Sequence, residues 1–263
     1  MNTKNHLMLI VFVICSILIT SCKESSESKP PDTPCYDRLF IAHGGGLVEK
    51  DTKTNSLEGL NASYANGFRM FELDFQLTTD NKIVAVHDPI YITEEEFLAQ
   101  PIRDKYTPMN IDTINNWFEN HPDAILVTDK LNRPDLFAEQ FKFKERLIME
   151  LFTWETVEEA LKLGIVPMVS QNIFWVCPNI EEKLDELKIQ YVGMHRDSIA
   201  RDPELLKRIK ATGIKTYVWF TSRLIEDMKP EEYIWKNDMD YCFGMYANSL
   251  IDSSTLISEQ KTK

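Results

Sequence analysis

Eight apolar strand-like runs, helical patterns between most of them, and no linker after residue 38 predict an α/β fold. The form that fits is a single (β/α)8 TIM barrel with an insertion after strand 2. The 263 residues are 43% apolar and 27% charged, which suits one large core and is too apolar for disorder. A doubly wound open sheet is the competing architecture. No internal repeat is visible.

The elements follow in order. Strand-like runs start near Leu39, Arg69, Ala124, Leu147, Ile165, Ile189, Lys215 and Tyr241. Asn55-Ser56-Leu57-Glu58 opens a helix in capping-box style, with Leu57, Leu60 and Tyr64 on one face and Gly67 as its stop. Thr153 caps a helix that carries Val157, Ala160 and Leu161 and ends at Gly164. Asp202-Pro203 forms a cap and first turn ahead of Leu205, Leu206 and Ile209, and Gly213 terminates that helix. The interval between strands two and three is abnormally long. It holds the turn Thr79-Asp80-Asn81-Lys82 and then Ile83 to Pro89, a strand expected to return over the barrel mouth, where insertions commonly build active sites.

The N-terminus reads differently. Lys4 and His6 precede an uncharged run, Leu7 to Thr20, too short for a membrane span and suited to a signal peptide. The run ends Ile19-Thr20-Ser21-Cys22, which resembles the lipobox of bacterial lipoproteins. That resemblance implies acylation of Cys22, export, and a lipid-anchored place in the bacterial cell envelope; an ordinary signal peptide with an incidental Cys is the alternative. The expected organisation is a signal peptide over 1–21, a Ser/Glu/Pro-rich tether over 22–38, and the barrel over 39–263. Cys35, Cys177 and Cys242 remain as thiols or as one disulfide, and their spacings match no zinc motif.

Charge narrows the partners. Against 29 Lys+Arg stand 41 Asp+Glu, a formal charge of −12. Nucleic acid needs clustered cations and is excluded as a partner, as is a basic surface clinging to anionic lipid. A small anionic substrate is not excluded, because one bound cation reverses the local field.

Candidate chemistry gathers at the strand ends. In Phe71-Glu72-Leu73-Asp74-Phe75, alternation puts Glu72 and Asp74 on one face. Two like charges pointing into a barrel require a proton, a cation, or neighbouring Arg and Lys side chains. Oxygen-only ligands favour Mg²⁺ or Ca²⁺. Asp129 ends strand three and suits a third ligand; Glu150, ending strand four, is a weaker one. His43 ends strand one before Gly44-Gly45-Gly46, and His87 ends the returning strand before Asp88. Two histidines at one mouth beside carboxylates make a plausible acid and base pair. His121 and His195 have duller readings. Trp219 is either an apolar wall of the pocket or core.

The segment from Ile41 to Pro89 resembles the glycerophosphodiester phosphodiesterase family, among the phosphatidylinositol-phospholipase-C-like TIM barrels. The resemblance is carried by His43-Gly44-Gly45, Thr54-Asn55-Ser56, Glu72-Leu73-Asp74, Thr78-Thr79-Asp80 and His87-Asp88. Asp129 and Val218-Trp219 extend it more weakly. It implies a hydrolase of glycerophosphodiesters that releases glycerol 3-phosphate and an alcohol. By the same resemblance His43 and His87 are general acid and base, and Glu72, Asp74 and Asp129 hold a divalent cation. The substrate class is a small phosphodiester or a lipid head group. Three departures stand out. Gly44 replaces the family's Arg with no Lys in its place, Thr54 replaces a Glu, and Lys130 stands one position early, expected to face away from the site. Three alternatives stay open: a catalytically decayed envelope binding protein on the same barrel, a phospholipase C-like enzyme with another phosphodiester substrate, and a glycosidase using Glu72 with Glu150.

Overall fold

The computed structural model of the chain describes residues 38–222 and 224–251. The expected signal peptide, Cys22, Cys35 and nearly all of the tether lie outside the described residues. The chain enters β1 (Phe40–Ala42), makes a small hairpin of β2 (Leu47–Val48) and β3 (Asp51–Thr52), and passes through α1 (Leu57–Ala65) into β4 (Met70–Leu77). The insertion holds β5 (Ile83–Ala85) and α2 (Glu94–Leu98), and α3 (Ile111–Glu119) leads to β6 (Ile125–Asp129). The chain continues through α4 (Pro134–Gln140), β7 (Leu147–Leu151), α5 (Trp154–Lys162), β8 (Val166–Ser170), α6 (Gln171–Phe174) and α7 (Ile180–Glu186). The last elements are β9 (Tyr191–His195), α8 (Pro203–Ala211), β10 (Lys215–Trp219), α9 (Pro230–Asn237) and β11 (Gly244–Ala247).

The sheet closes. β1, β4, β6, β7, β8, β9, β10 and β11 pair in that order, all parallel, and β11 returns to β1 through Phe40↔Met245. This is the expected (β/α)8 barrel, and it removes the open sheet from consideration. Every expected strand start falls within three residues of the observed one. The largest gap is at Tyr241, because Tyr241 and Cys242 still turn back onto the Asp238 carbonyl before pairing begins at Gly244.

Alternation along the strands builds two cores. Ile41, Met70, Val127, Ile148, Met168, Tyr217 and Tyr246 fill the barrel lumen. Phe71, Leu73, Phe75, Leu126 and Met149 point outward under the helices. Glu72 and Asp74 share the lumen face with Met70, two and four residues further along β4, and so arrive at the mouth. The caps expected at Thr153 and Asp202 are in place, and the first falls one residue later than the Asn55–Glu58 box, at Ser56. Ser56 Oγ accepts from the Gly59 amide, Thr153 from that of Thr156, and Asp202 from that of Leu205. Glu58 does not close a box on Ser56; its carboxylate accepts from Thr107 in the insertion.

β4 is longer than its neighbours. β6 pairs only with Met70–Asp74, so Phe75–Leu77 project past the mouth and take β5 antiparallel, Phe75 opposite Ala85. That is the strand expected to return over the barrel. Cys177 and Cys242 are both free, and burial pushes the Cys242 thiol up to about 12. Among the described residues no helix is long and apolar enough to cross a membrane.

Candidate active site

Register brings the acidic residues together. Asp74 lies directly opposite Asp129 across the β4–β6 ladder, with Glu72 one pleat below. The three carboxylates offer oxygens that all lie within 4.8 Å of one another. Around them is a cavity of about 320 Å³ at the C-terminal end of the strands, whose wall includes His43, His87, Lys53, Lys130 and Trp219. Every residue singled out in the sequence for chemistry, other than Cys22, therefore meets at one mouth.

Glu72 and Asp74 are positioned by the segment that precedes α1, and Asp129 by Lys130. Glu72 Oε2 accepts from the Gly44 amide at 2.7 Å. Asn55 brackets Asp74: its Nδ2 donates to Oδ2 at 2.9 Å, and its Oδ1 accepts from the Asp74 amide at 3.0 Å. Burial pushes the Glu72 carboxyl well above the ordinary range, and the charges of Asp74 and Asp129 push it further. Burial also raises Asp74, against the lowering hydrogen bond from Asn55. Desolvated, like-charged and all oxygen, this donor set fits a hard divalent cation. Glu72, Asp74 and Asp129 are the residues that would hold it.

The two histidines sit in unlike surroundings. The His43 ring is packed edge-on against Tyr246 and Phe220, with centroids 5.4 and 6.3 Å away. Its Nδ1 is sealed from solvent with no hydrogen-bond partner among the described residues. Burial, aided by Lys53 and Lys130, drives its pKa well below that of an ordinary imidazole, so the ring is neutral. His87 is exposed, and its Nδ1 lies 2.8 Å from Asp88 Oδ1. Trp219 lines the cavity and is braced by His195, whose ring meets it edge-on at 4.5 Å. His121 lies elsewhere, stacked on Trp117 at 4.0 Å.

Comparison with known proteins falls on the same segment. The model of the glycerophosphoryl diester phosphodiesterase family matches residues 48–105. A glycerophosphodiester phosphodiesterase of Caldanaerobacter subterraneus subsp. tengcongensis is 23% identical over 219 residues, 73% of this chain and 88% of that protein. Over this stretch the chain is similar to the glycerophosphoryl diester phosphodiesterase family. Solved structures agree on the fold. A glycerophosphodiester phosphodiesterase from Parabacteroides distasonis superposes with a TM-score of 0.66 at 17% identity, covering 86% of this chain and 98% of that one. An Oleispira antarctica phosphodiesterase, solved in complex with sn-glycerol-3-phosphate, gives 0.58 at 17% identity, covering 86% and 97%.

Against the family pattern the site holds two surprises. Lys130, expected to face away, instead turns in: its backbone adopts φ +70°, which reverses the side the side chain leaves from. Its Nζ sits 2.8 Å from Asp129 and 3.7 Å from Asp74, so the early position is compensated by backbone conformation. The family's missing Arg at Gly44 is also not without a cation nearby. Lys53, half-buried, lines the same cavity from the end of the β2–β3 hairpin. Sequence reasoning overlooked it because nothing in a two-residue strand marks which way the following side chain points. Asn55 was visible as part of a helix start and of the Thr54-Asn55-Ser56 motif, with no role of its own. Glu150 lies in the cavity wall but outside the acidic triad; Tyr246 donates to it at 3.3 Å, and burial raises its carboxyl to about 8.

Proposed function

We propose that this chain is a divalent-cation-dependent phosphodiester hydrolase that acts on glycerophosphodiesters and releases glycerol 3-phosphate and an alcohol. The observation that carries the reading is the acidic triad facing two histidines of unlike environment inside one cavity. A phosphodiester anion repels nucleophiles, and a cation bound by Glu72, Asp74 and Asp129 supplies charge neutralisation at its oxygens. His43, kept neutral by burial, takes the proton of the attacking hydroxyl. His87 delivers a proton to the leaving alkoxide, and Asp88 fixes its ring by holding Nδ1. Lys130 balances Asp129, and Trp219 gives the alcohol an apolar wall. Where the attacking hydroxyl is the substrate's own glycerol hydroxyl, a cyclic phosphate forms first and water opens it.

The proposed setting is the cell envelope, with the protein held at a membrane by a lipid on Cys22. Incorporation of labelled fatty acid into the intact chain, lost in Cys22→Ser, tests that part. The activity is tested by measuring glycerol 3-phosphate release from a panel of glycerophosphodiesters and lipid head groups, with Mg²⁺ or Ca²⁺ and with chelator. His43→Ala and His87→Ala are each expected to lower kcat by roughly 10²–10⁴-fold. Equal rates for the wild type and both variants would sink the acid–base assignment. Turnover that survives chelator would overturn the role given to the cation, and absence of any phosphodiester turnover with hydrolysis of a glycoside would favour the carboxylate-only glycosidase site.

A further inference from the structure

The glycine at position 44 and the lysine at position 53 belong together. Gly44 has φ +54°, and a Cβ built there would lie 2.6 Å from the Cα of Lys53 and 2.8 Å from its Cβ. No real side chain tolerates such a separation from backbone, so any residue but glycine at 44 displaces the segment at 53. The two stretches are also tied directly, by the Asn55 amide donating to the Gly44 carbonyl at 2.9 Å and the Lys53 amide to that of Gly46 at 3.3 Å. Lys53 itself holds φ +53° and Asn55 φ +51°. Left-handed backbone at two non-glycine residues in three is strained, and strain of that kind collects at functional sites.

The Lys53 ammonium has little to do within the protein. Its one hydrogen bond among the described residues is to the Phe220 carbonyl, at 3.4 Å. It forms no ion pair there, whereas Lys130 is already engaged by Asp129 and Asp74. The Gly44 and Gly46 amides are likewise committed, to Glu72 and to the His43 carbonyl, and are not free to cradle a phosphate. One cavity-lining cation is thus left to meet an anion.

We propose that Lys53 is the phosphate-binding cation of this site, delivered by the β2–β3 hairpin into the space that Gly44 leaves open. The proposal rests on the phosphodiesterase reading above. Lys53 contacts a non-bridging phosphate oxygen as a point charge rather than as a two-pronged guanidinium. Substrate and product both carry such an oxygen, so the contact serves both, and its removal raises KM and the product's dissociation constant more than it lowers kcat.

The test is calorimetric binding of glycerol 3-phosphate to the full folded protein, beside KM and kcat for a glycerophosphodiester and the affinity for Ca²⁺. Lys53→Met keeps the aliphatic stem, Lys53→Arg keeps the charge, and Lys207→Met on exposed α8 is the control. Lys53→Met is expected to weaken glycerol 3-phosphate roughly 10- to 100-fold, as loss of a charge-assisted contact does, with Lys53→Arg recovering most of it. Gly44→Ala is expected to weaken glycerol 3-phosphate as well, and, because the Gly44 amide also holds Glu72, to weaken Ca²⁺ too, which Lys53→Met is not expected to do. If Lys53 only screens Glu72 and Asp74, Lys53→Met will tighten Ca²⁺ and leave glycerol 3-phosphate binding unchanged, which overturns the proposal. A wild type that neither binds glycerol 3-phosphate nor hydrolyses any phosphodiester would overturn the functional reading itself, and this inference with it.

Discussion

A single dihedral at Lys130 shows how much chemistry rests on individual residues here. With φ at +70° its ammonium reaches Asp129; in an extended conformation it would leave from the opposite side of the chain. Asn55 acts in the same way on Asp74, spending both ends of its amide on one residue. Asn55→Ala is expected to weaken the divalent cation about 10- to 100-fold, as loss of a group that orients a ligand does, measured by calorimetry with Mg²⁺ or Ca²⁺. Glu150 makes a prediction about pH. Burial lifts its carboxyl to about 8, above the unfolded value of about 4.3, so the folded chain holds a proton that the unfolded chain has released between those limits. Stability contributed at this position therefore falls as pH rises through that window. With chelator present, Glu150→Gln is expected to gain melting temperature relative to wild type between about pH 5 and 8. Parallel curves for the two proteins would show that Glu150 ionises freely.

At the scale of elements, the site is assembled by three pieces of strand and one helix start. β4 and β6 set Asp74 against Asp129 by register, β5 carries His87 back over the mouth, and the turn into α1 presents Asn55. Ser56, fully buried, caps α1 and hydrogen-bonds Thr54 at 2.7 Å, so it fixes both flanks of Asn55. Ser56→Ala is expected to cost about 1 kcal/mol and about 2–4 °C in Tm, with a fall in activity beside it. A lowered Tm with unchanged kcat/KM would show that the cap does not hold the site. Strand alternation made the Glu72 and Asp74 pair legible in the sequence, and residues at helix ends marked the Thr153 and Asp202 caps correctly and the first cap one residue early. Three residues that were not legible share one cause. Lys53, Lys130 and Asn55 all lie at positive φ, where side-chain direction no longer follows the alternation that a sequence reader relies on. Glu58 was misplaced for a different reason: its partner, Thr107, lies in the insertion, far along the chain.

Across the whole molecule 41 acidic residues outnumber 29 basic ones, and the barrel mouth sets two lysines among its carboxylates. Lys53 and Lys130 stand beside Glu72, Asp74 and Asp129 in a barrel mouth whose wall mixes aromatics such as Trp219 and Tyr246 with polar Ser170, Gln171 and Thr221. Bare, that mouth holds two buried carboxylates raised by burial and by neighbouring acidic charge, so occupation by a cation should stabilise the fold. Adding Ca²⁺ or Mg²⁺ at about a hundredfold excess over its dissociation constant is expected to stabilise the protein by about 2.7 kcal/mol, read as a rise in Tm. Asp74→Asn and Asp129→Asn should each abolish most of that rise. The barrel itself was legible from eight strand runs and their helices, because parallel strands buried on both faces leave an unmistakable apolar trace. The most direct test of the central claim is the rate of glycerol 3-phosphate release from a glycerophosphodiester by chelator-treated protein as Mg²⁺ or Ca²⁺ is added back. The account predicts no turnover without the cation, saturable recovery in wild type and none in Asp74→Asn; turnover that ignores both the chelator and the substitution would contradict it.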